Sequence, residues 1–210
     1  MASAEPALIE LVRAIAARDT GTVSRMLKTS PTLASASVDA GATRREAATY
    51  YLDDINHYVY AGDTALHIAA AAYEEGLVGR LVTLGADVGA KNRRGAQPLH
   101  YAADGIPGSD AWSPEAQAAV IAALIASGAD PNAADTSGVT PLHRAVRTRC
   151  SGAVRALLDG GADPERTNKS GSTPMKLAMQ PTGRGGSGST DAKAQQATIV
   201  ELLGQYGATS

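Results

Sequence analysis

Apolar and polar positions along this chain follow a helical period that restarts about every 33 residues. Leu142, Ala145 and Val146 fall at i, i+3 and i+4, which places them on one helical face. Thr140 can cap that helix, and Pro141 suits its first position, where no backbone donor is needed. Val154, Leu157 and Leu158 repeat the spacing and predict a return helix. Gly160-Gly161 ends it, because glycine tolerates the left-handed conformation of a helix C-terminus. The Ala162-Asp163-Pro164 stretch then extends the chain toward the next unit. Each unit is therefore a helix–turn–helix followed by a short hairpin loop. Leu8, Leu11, Val12 and Ile15, then Val23, Met26 and Leu27, predict a similar helix pair at the N-terminus. Ile199, Leu202 and Leu203 predict a final outer helix.

The pattern is carried by near-copies of one motif. Gly62-Asp63-Thr64-Ala65-Leu66-His67-Ile68-Ala69 recurs as Gly95-Ala96-Gln97-Pro98-Leu99-His100-Tyr101-Ala102. It returns as Gly138-Val139-Thr140-Pro141-Leu142-His143-Arg144-Ala145 and as Gly171-Ser172-Thr173-Pro174-Met175-Lys176-Leu177-Ala178. The leading glycines are 33, 43 and 33 residues apart. A second block, Gly85-Ala86-Asp87, Gly128-Ala129-Asp130 and Gly161-Ala162-Asp163, follows in phase. This set resembles the ankyrin repeat family. The resemblance implies an all-α helix–turn–helix solenoid of about five repeats with short hairpin loops, forming one domain over 1–210. Its units are an N-terminal capping repeat (1–35), a Tyr-rich insertion (36–61) and repeats over 62–94, 95–137, 138–170 and 171–210. It also implies that His67, His100 and His143 tie neighbouring repeats together through backbone groups. The variable position after each, including Tyr101 and Arg144, would face a concave groove used for binding. Asp87, Asp130 and Asp163 recur in phase and are expected to shape the loops.

Three interruptions break the period, and insertions contribute nothing to a regular stack. The first, about residues 31–60, holds four of the seven tyrosines: Tyr50, Tyr51, Tyr58 and Tyr60. Tyrosine supplies rigid contact area with a polar tip, so this segment is a candidate recognition surface. The alternative is packing, with Tyr50, Leu52 and Ile55 folding a local helix back onto the first repeats. The second interruption, 104–113, contains Gly105, Pro107 and Gly108 and the only tryptophan, Trp112, expected as a plug over the stack or as a contact residue. The third, 181–190, is rich in Gly and Ser. It lacks the lysine of a phosphate-binding loop and follows a helix, so it reads as a flexible linker.

Composition narrows the function classes. The 210 residues carry 19 Lys+Arg against 21 Asp+Glu, a formal charge of -2, which argues against nucleic-acid or anionic-membrane binding. With 42 alanines and no Phe, helices can approach closely around a thin core. The lone Cys150 excludes an intrachain disulfide framework and reads as an inert thiol. Met-Ala-Ser-Ala-Glu-Pro has no basic stretch before an apolar run, and no apolar segment reaches membrane-span length, so a cytoplasmic protein is expected.

Candidate chemistry is sparse. The in-phase histidines should lie about 10 Å apart, the spacing of packed helices, too far to share a metal ion. No motif calls for a cofactor. Asp53, Asp54, His57 and Tyr58 form the one constellation suited to general acid–base work. The function expected first is recognition of an unidentified protein partner. Its surface would comprise Tyr50, Tyr51, Tyr58, Tyr60, Arg93, Arg94, Tyr101, Trp112, Arg144 and Arg147. The arginines suit an acidic peptide or a carboxylate-bearing ligand. The alternative is a small-molecule protein, or a cofactor-independent lyase, isomerase or cyclase, with a pocket between 36–61 and 104–113. An enclosed pocket lined by Tyr58, Tyr60, Tyr101 and Trp112 would favour that alternative; an open groove would favour a protein partner.

Overall fold

Helix pairs stack in chain order, as the period predicts. The computed structural model describes residues 5–110, 112–180 and 190–209, without the side chains of Asp191 and Ala192. Helices α1 (Glu5–Ala16) and α2 (Thr20–Thr29) form the first unit. The pairs α3 (Ala65–Ala71) with α4 (Glu75–Thr83), and α5 (Pro98–Ala103) with α6 (Pro114–Ala126), follow. The last pairs are α7 (Pro141–Arg147) with α8 (Ser151–Asp159), and α9 (Pro174–Ala178) with α10 (Thr190–Gln205). The first helices of the pairs form an inner row, α1–α3–α5–α7–α9, and the second helices pack behind them, α4–α6–α8–α10. The Gly/Ser segment lies outside the described residues over 181–189.

The inner helices of the repeats have only five to seven residues, too short to be stable alone, so packing and caps hold them. Leu66, Leu99 and Leu142 occupy one motif position and are wholly buried, with Ala69, Ala102 and Ala145 three residues on. The small alanines let the inner row close up. The motif histidines join the layers. In His67 and His143, Nδ1 takes the N–H of Thr64 (3.1 Å) and of Thr140 (3.3 Å), and His100 Nδ1 takes that of Gln97 (3.1 Å). Nε2 therefore carries the proton and donates to the next repeat: to Ala96 O at 3.2 Å, Val139 O at 3.0 Å and Ser172 O at 3.0 Å. Asp87, Asp130 and Asp163 each accept the N–H two residues on, at 2.8, 2.8 and 2.9 Å, closing the loops in register.

A second cross-repeat tie lies at the far ends of the inner helices. Arg18, Tyr73 and Arg149 each adopt a left-handed backbone there, with φ of 55°, 57° and 63°. Each side chain reaches a carbonyl beside the next inner helix's C-terminus: Arg18 to Ala72 O (2.8 Å), Tyr73 to Asp104 O (2.6 Å), Arg149 to Ala178 O (3.0 Å). These bonds satisfy carbonyls that a helix end leaves orphaned. After α5 the 104–113 insertion takes this place, and Gln117 Nε2 donates to Ala102 O at 2.9 Å instead.

Candidate functional site

The Tyr-rich insertion does not form the local helix anticipated from Tyr50, Leu52 and Ile55. It makes a two-stranded antiparallel hairpin, β1 (Tyr51–Leu52) and β2 (His57–Tyr58). Asp53-Asp54-Ile55 make one tight turn and Asn56 is left-handed at φ 50°, a conformation that Asn tolerates and a helix interior forbids. Leu52 and Val59 are buried, while Asp53, Asp54 and Tyr58 are exposed. Backbone bonds Ala42 N to Val59 O (2.7 Å) and Val38 N to Asp63 O (2.8 Å) bind the preceding strand-like segment to it. Gly41 is required: a Cβ there would overlap the Tyr60–Ala61 peptide.

This hairpin lies over the inner helices and is held by a buried polar knot. Asp63, with no exposed surface, accepts the Tyr101 hydroxyl at 2.8 Å from both carboxylate oxygens. It also accepts Asn92 Nδ2 at 2.9 Å and the Tyr60 N–H at 2.7 Å. The Tyr101 ring is sandwiched between His57, at 4.2 Å between centroids, and His67 edge-on at 5.0 Å. Tyr101 is thus 2% exposed, not displayed along an open groove. Arg144 is covered too: Nη1 pairs with Asp104 at 2.8 Å and Nη2 with Asp135 at 3.4 Å. The hairpin covers Tyr101 through His57, and the start of the 104–113 loop covers Arg144 through Asp104.

Between the hairpin and the 104–113 loop the structure leaves a pocket of about 330 Å³. His57, Tyr58, Tyr60, Tyr73, Tyr101 and Trp112 supply its aromatic wall. Arg18, Arg94, Arg144 and Arg147 supply four cations, against the carboxylates of Asp54 and Asp104. Trp112 is half-buried, its indole N–H donating to Gln117 Oε1 at 2.9 Å. The fit of this loop is close, because a Cβ on Gly105 would meet Cys150 Sγ at 2.7 Å and the Trp112 ring at 3.0 Å. Burial holds the His57 imidazole below its ordinary pKa, in spite of the Asp104 and Asp63 carboxylates, so it is neutral at pH 7. Burial likewise pushes the Cys150 thiol up to about 11, which makes it a poor nucleophile.

The anticipated surface residues therefore separate into three groups. Tyr58, Tyr60, Arg94, Tyr101, Trp112, Arg144 and Arg147 meet at the pocket, with Asp54 and His57. Arg93 and Arg94 clamp the insertion: their guanidinium groups lie 5.2 and 5.1 Å from the Tyr60 ring centroid. Arg93 also donates to Ala42 O, and Arg94 to the Tyr60 hydroxyl at 3.1 Å. Tyr51 stacks on Tyr58 at 4.7 Å outside the pocket wall, and Tyr50 is half-buried against the core. Asp53 is exposed and does not line the pocket, so it does not join Asp54, His57 and Tyr58. Asp63, Tyr73, Asn92 and Asp104 were not anticipated. One signal pointed to Asp63: the same motif position holds Ala96, Val139 and Ser172, none of them charged. Among the described residues no cluster of His, Cys, Asp or Glu is arranged to hold a metal ion.

Two family models match the chain: an ankyrin repeat over residues 61–93, and ankyrin repeats in multiple copies over residues 124–178. Ankyrin repeats in general serve as protein–protein interaction modules. No curated protein matches the chain. No helix among the described residues is long and apolar enough to cross a membrane.

Proposed function

The chain belongs to the ankyrin repeat family, and on that footing we propose that it is a recognition protein whose primary site is the pocket, taking a small molecule. The observation that carries this reading is a half-open pocket of about 330 Å³ walled by Tyr58, Tyr60, Tyr101 and Trp112. That volume lies at the small end of ligand sites, and a rigid polar frame of Asp63, Asn92 and Arg144 stands beneath it. Burying such groups costs stability that pairing only partly offsets, and a preformed site gives a reason to keep them. The test is untargeted metabolite analysis of protein recovered natively from lysate. Wild-type protein should retain a small molecule that Ser109→Trp, which fills the pocket, does not. Retention by neither variant, or equally by both, would remove the pocket from the function.

A second reading has its own support in the exposed edge. Tyr58 is 39% exposed, and Arg93, Arg94 and Arg147 are exposed on a protein of net charge -2. In this reading an acidic protein partner docks on the groove, hairpin tips and insertion. Charge reversal at Arg147 should weaken its capture while leaving the melting temperature unchanged within a few degrees; unchanged capture would rule the surface out. Arg93 and Arg94 serve less well for this test, since both also hold the insertion in place.

A further inference from the structure

We propose that the ligand of this pocket carries a carboxylate attached to a flat ring, the carboxylate held by Arg147. This rests on the reading that the pocket takes a small molecule. The lining cations differ in how far they are already committed. Arg18 pairs with Glu74 at 2.5 Å, and Arg94 bonds the Tyr60 hydroxyl and lies over its ring. Arg144 pairs its terminal nitrogens with Asp104 and Asp135, so its charge is already balanced. Arg147 follows three residues later on the same face of α7, exposed, with no hydrogen bond or ion pair to any described residue.

One uncommitted guanidinium, with its parallel N–H pair, matches a planar group with two oxygens and one negative charge. A tetrahedral dianion would ask for more donors, and would face the carboxylates of Asp54 and Asp104 on the same wall. The rest of the lining favours a ring. His57, neutral and with neither ring nitrogen bonded to a described residue, and Trp112 offer faces and edges for offset stacking.

Trp112 is the only tryptophan, so its emission reports on the pocket alone. The wild-type chain is titrated with phenylacetate, with its neutral isostere phenylacetamide, and with inorganic phosphate. Phenylacetate should change the emission saturably, at least tenfold more tightly than the other two. Arg147→Gln should weaken phenylacetate at least tenfold and leave phenylacetamide as it was, and Arg147→Lys should recover part of the loss. Equal binding of acid and amide, or an unchanged Arg147→Gln, would overturn the carboxylate seat while leaving the pocket in use. Phosphate binding more tightly than phenylacetate would overturn it in favour of a tetrahedral anion. Silence toward all three overturns it as well, and metabolite retention then decides separately whether the pocket reading survives.

Discussion

Tyr101→Phe removes one oxygen from the centre of the polar knot. Asp63 is a fully buried carboxylate with three donors, the Tyr101 hydroxyl, Asn92 Nδ2 and the Tyr60 N–H. The hydroxyl also accepts Asn92 Nδ2 at 3.0 Å, so both remaining partners lose a contact. A hydrogen bond to a charged group contributes about 1.5–3 kcal/mol, and here no water replaces it at an inaccessible carboxylate. Because the ring stays in place, no cavity term adds to this. The expected loss is about 2–3 kcal/mol, or a fall in melting temperature of about 4–12 °C for a chain of this size. Urea denaturation followed by far-UV circular dichroism measures it. Tyr51→Phe is the control, since its hydroxyl bonds Asn56 at 3.2 Å on the surface and its loss should stay within about 0.5 kcal/mol. A Tyr101→Phe chain within about 0.5 kcal/mol of wild type would refute the view that this knot fixes the insertion on the stack.

The histidines make stability depend on acidity. Burial holds His57, His67, His100 and His143 below their ordinary pKa, His100 at about 4. The unfolded chain then binds these protons more tightly. Stability is fully present above about pH 6.5 and is lost as pH falls, by about 2 kcal/mol at pH 5 from His100 alone. Urea midpoints at pH 7.5 and pH 5 check this, and an unchanged or higher midpoint at pH 5 would contradict it. Gly105→Ala should cost about 1–3 kcal/mol by driving a methyl into Cys150 and Trp112, with a shift in Trp112 emission; unaltered emission would contradict the fit of that loop. Cys150, buried with its pKa raised to about 11, should react with a thiol reagent such as Ellman's reagent only at the rate of unfolding, and rapid labelling of folded protein would contradict its burial.

The stack is legible in the sequence because each repeat states its own boundaries locally. Thr140 accepts the His143 N–H at 3.4 Å with Pro141 at the first helical turn, and Gly161 sits at φ 90° past the end of α8, where a side chain would be strained. The path of the insertion is a tertiary matter and was not legible. Tyr50, Leu52 and Ile55 fit a helix as well as a hairpin; what decides is Asn56, together with the burial of Leu52 and Val59. Tyr101 and Arg144 stand at positions that face a groove in a plain array, and their burial follows only once the insertion covers them. The gathering of tyrosines and Trp112 outside the motif coincides with the place where the pocket forms. The pairing of Asp63 with Asn92 beneath it is legible only in part, through the one charge at a motif position that is elsewhere uncharged.

Amide hydrogen exchange, with and without the small-molecule fraction of a lysate, tests the pocket most directly. A ligand held between the two insertions slows exchange in residues 54–60 and 104–110 together, leaving the loops around Asp135 and Asn168 unchanged. Protection confined to the exposed hairpin tips, with the pocket walls unaffected, would contradict it.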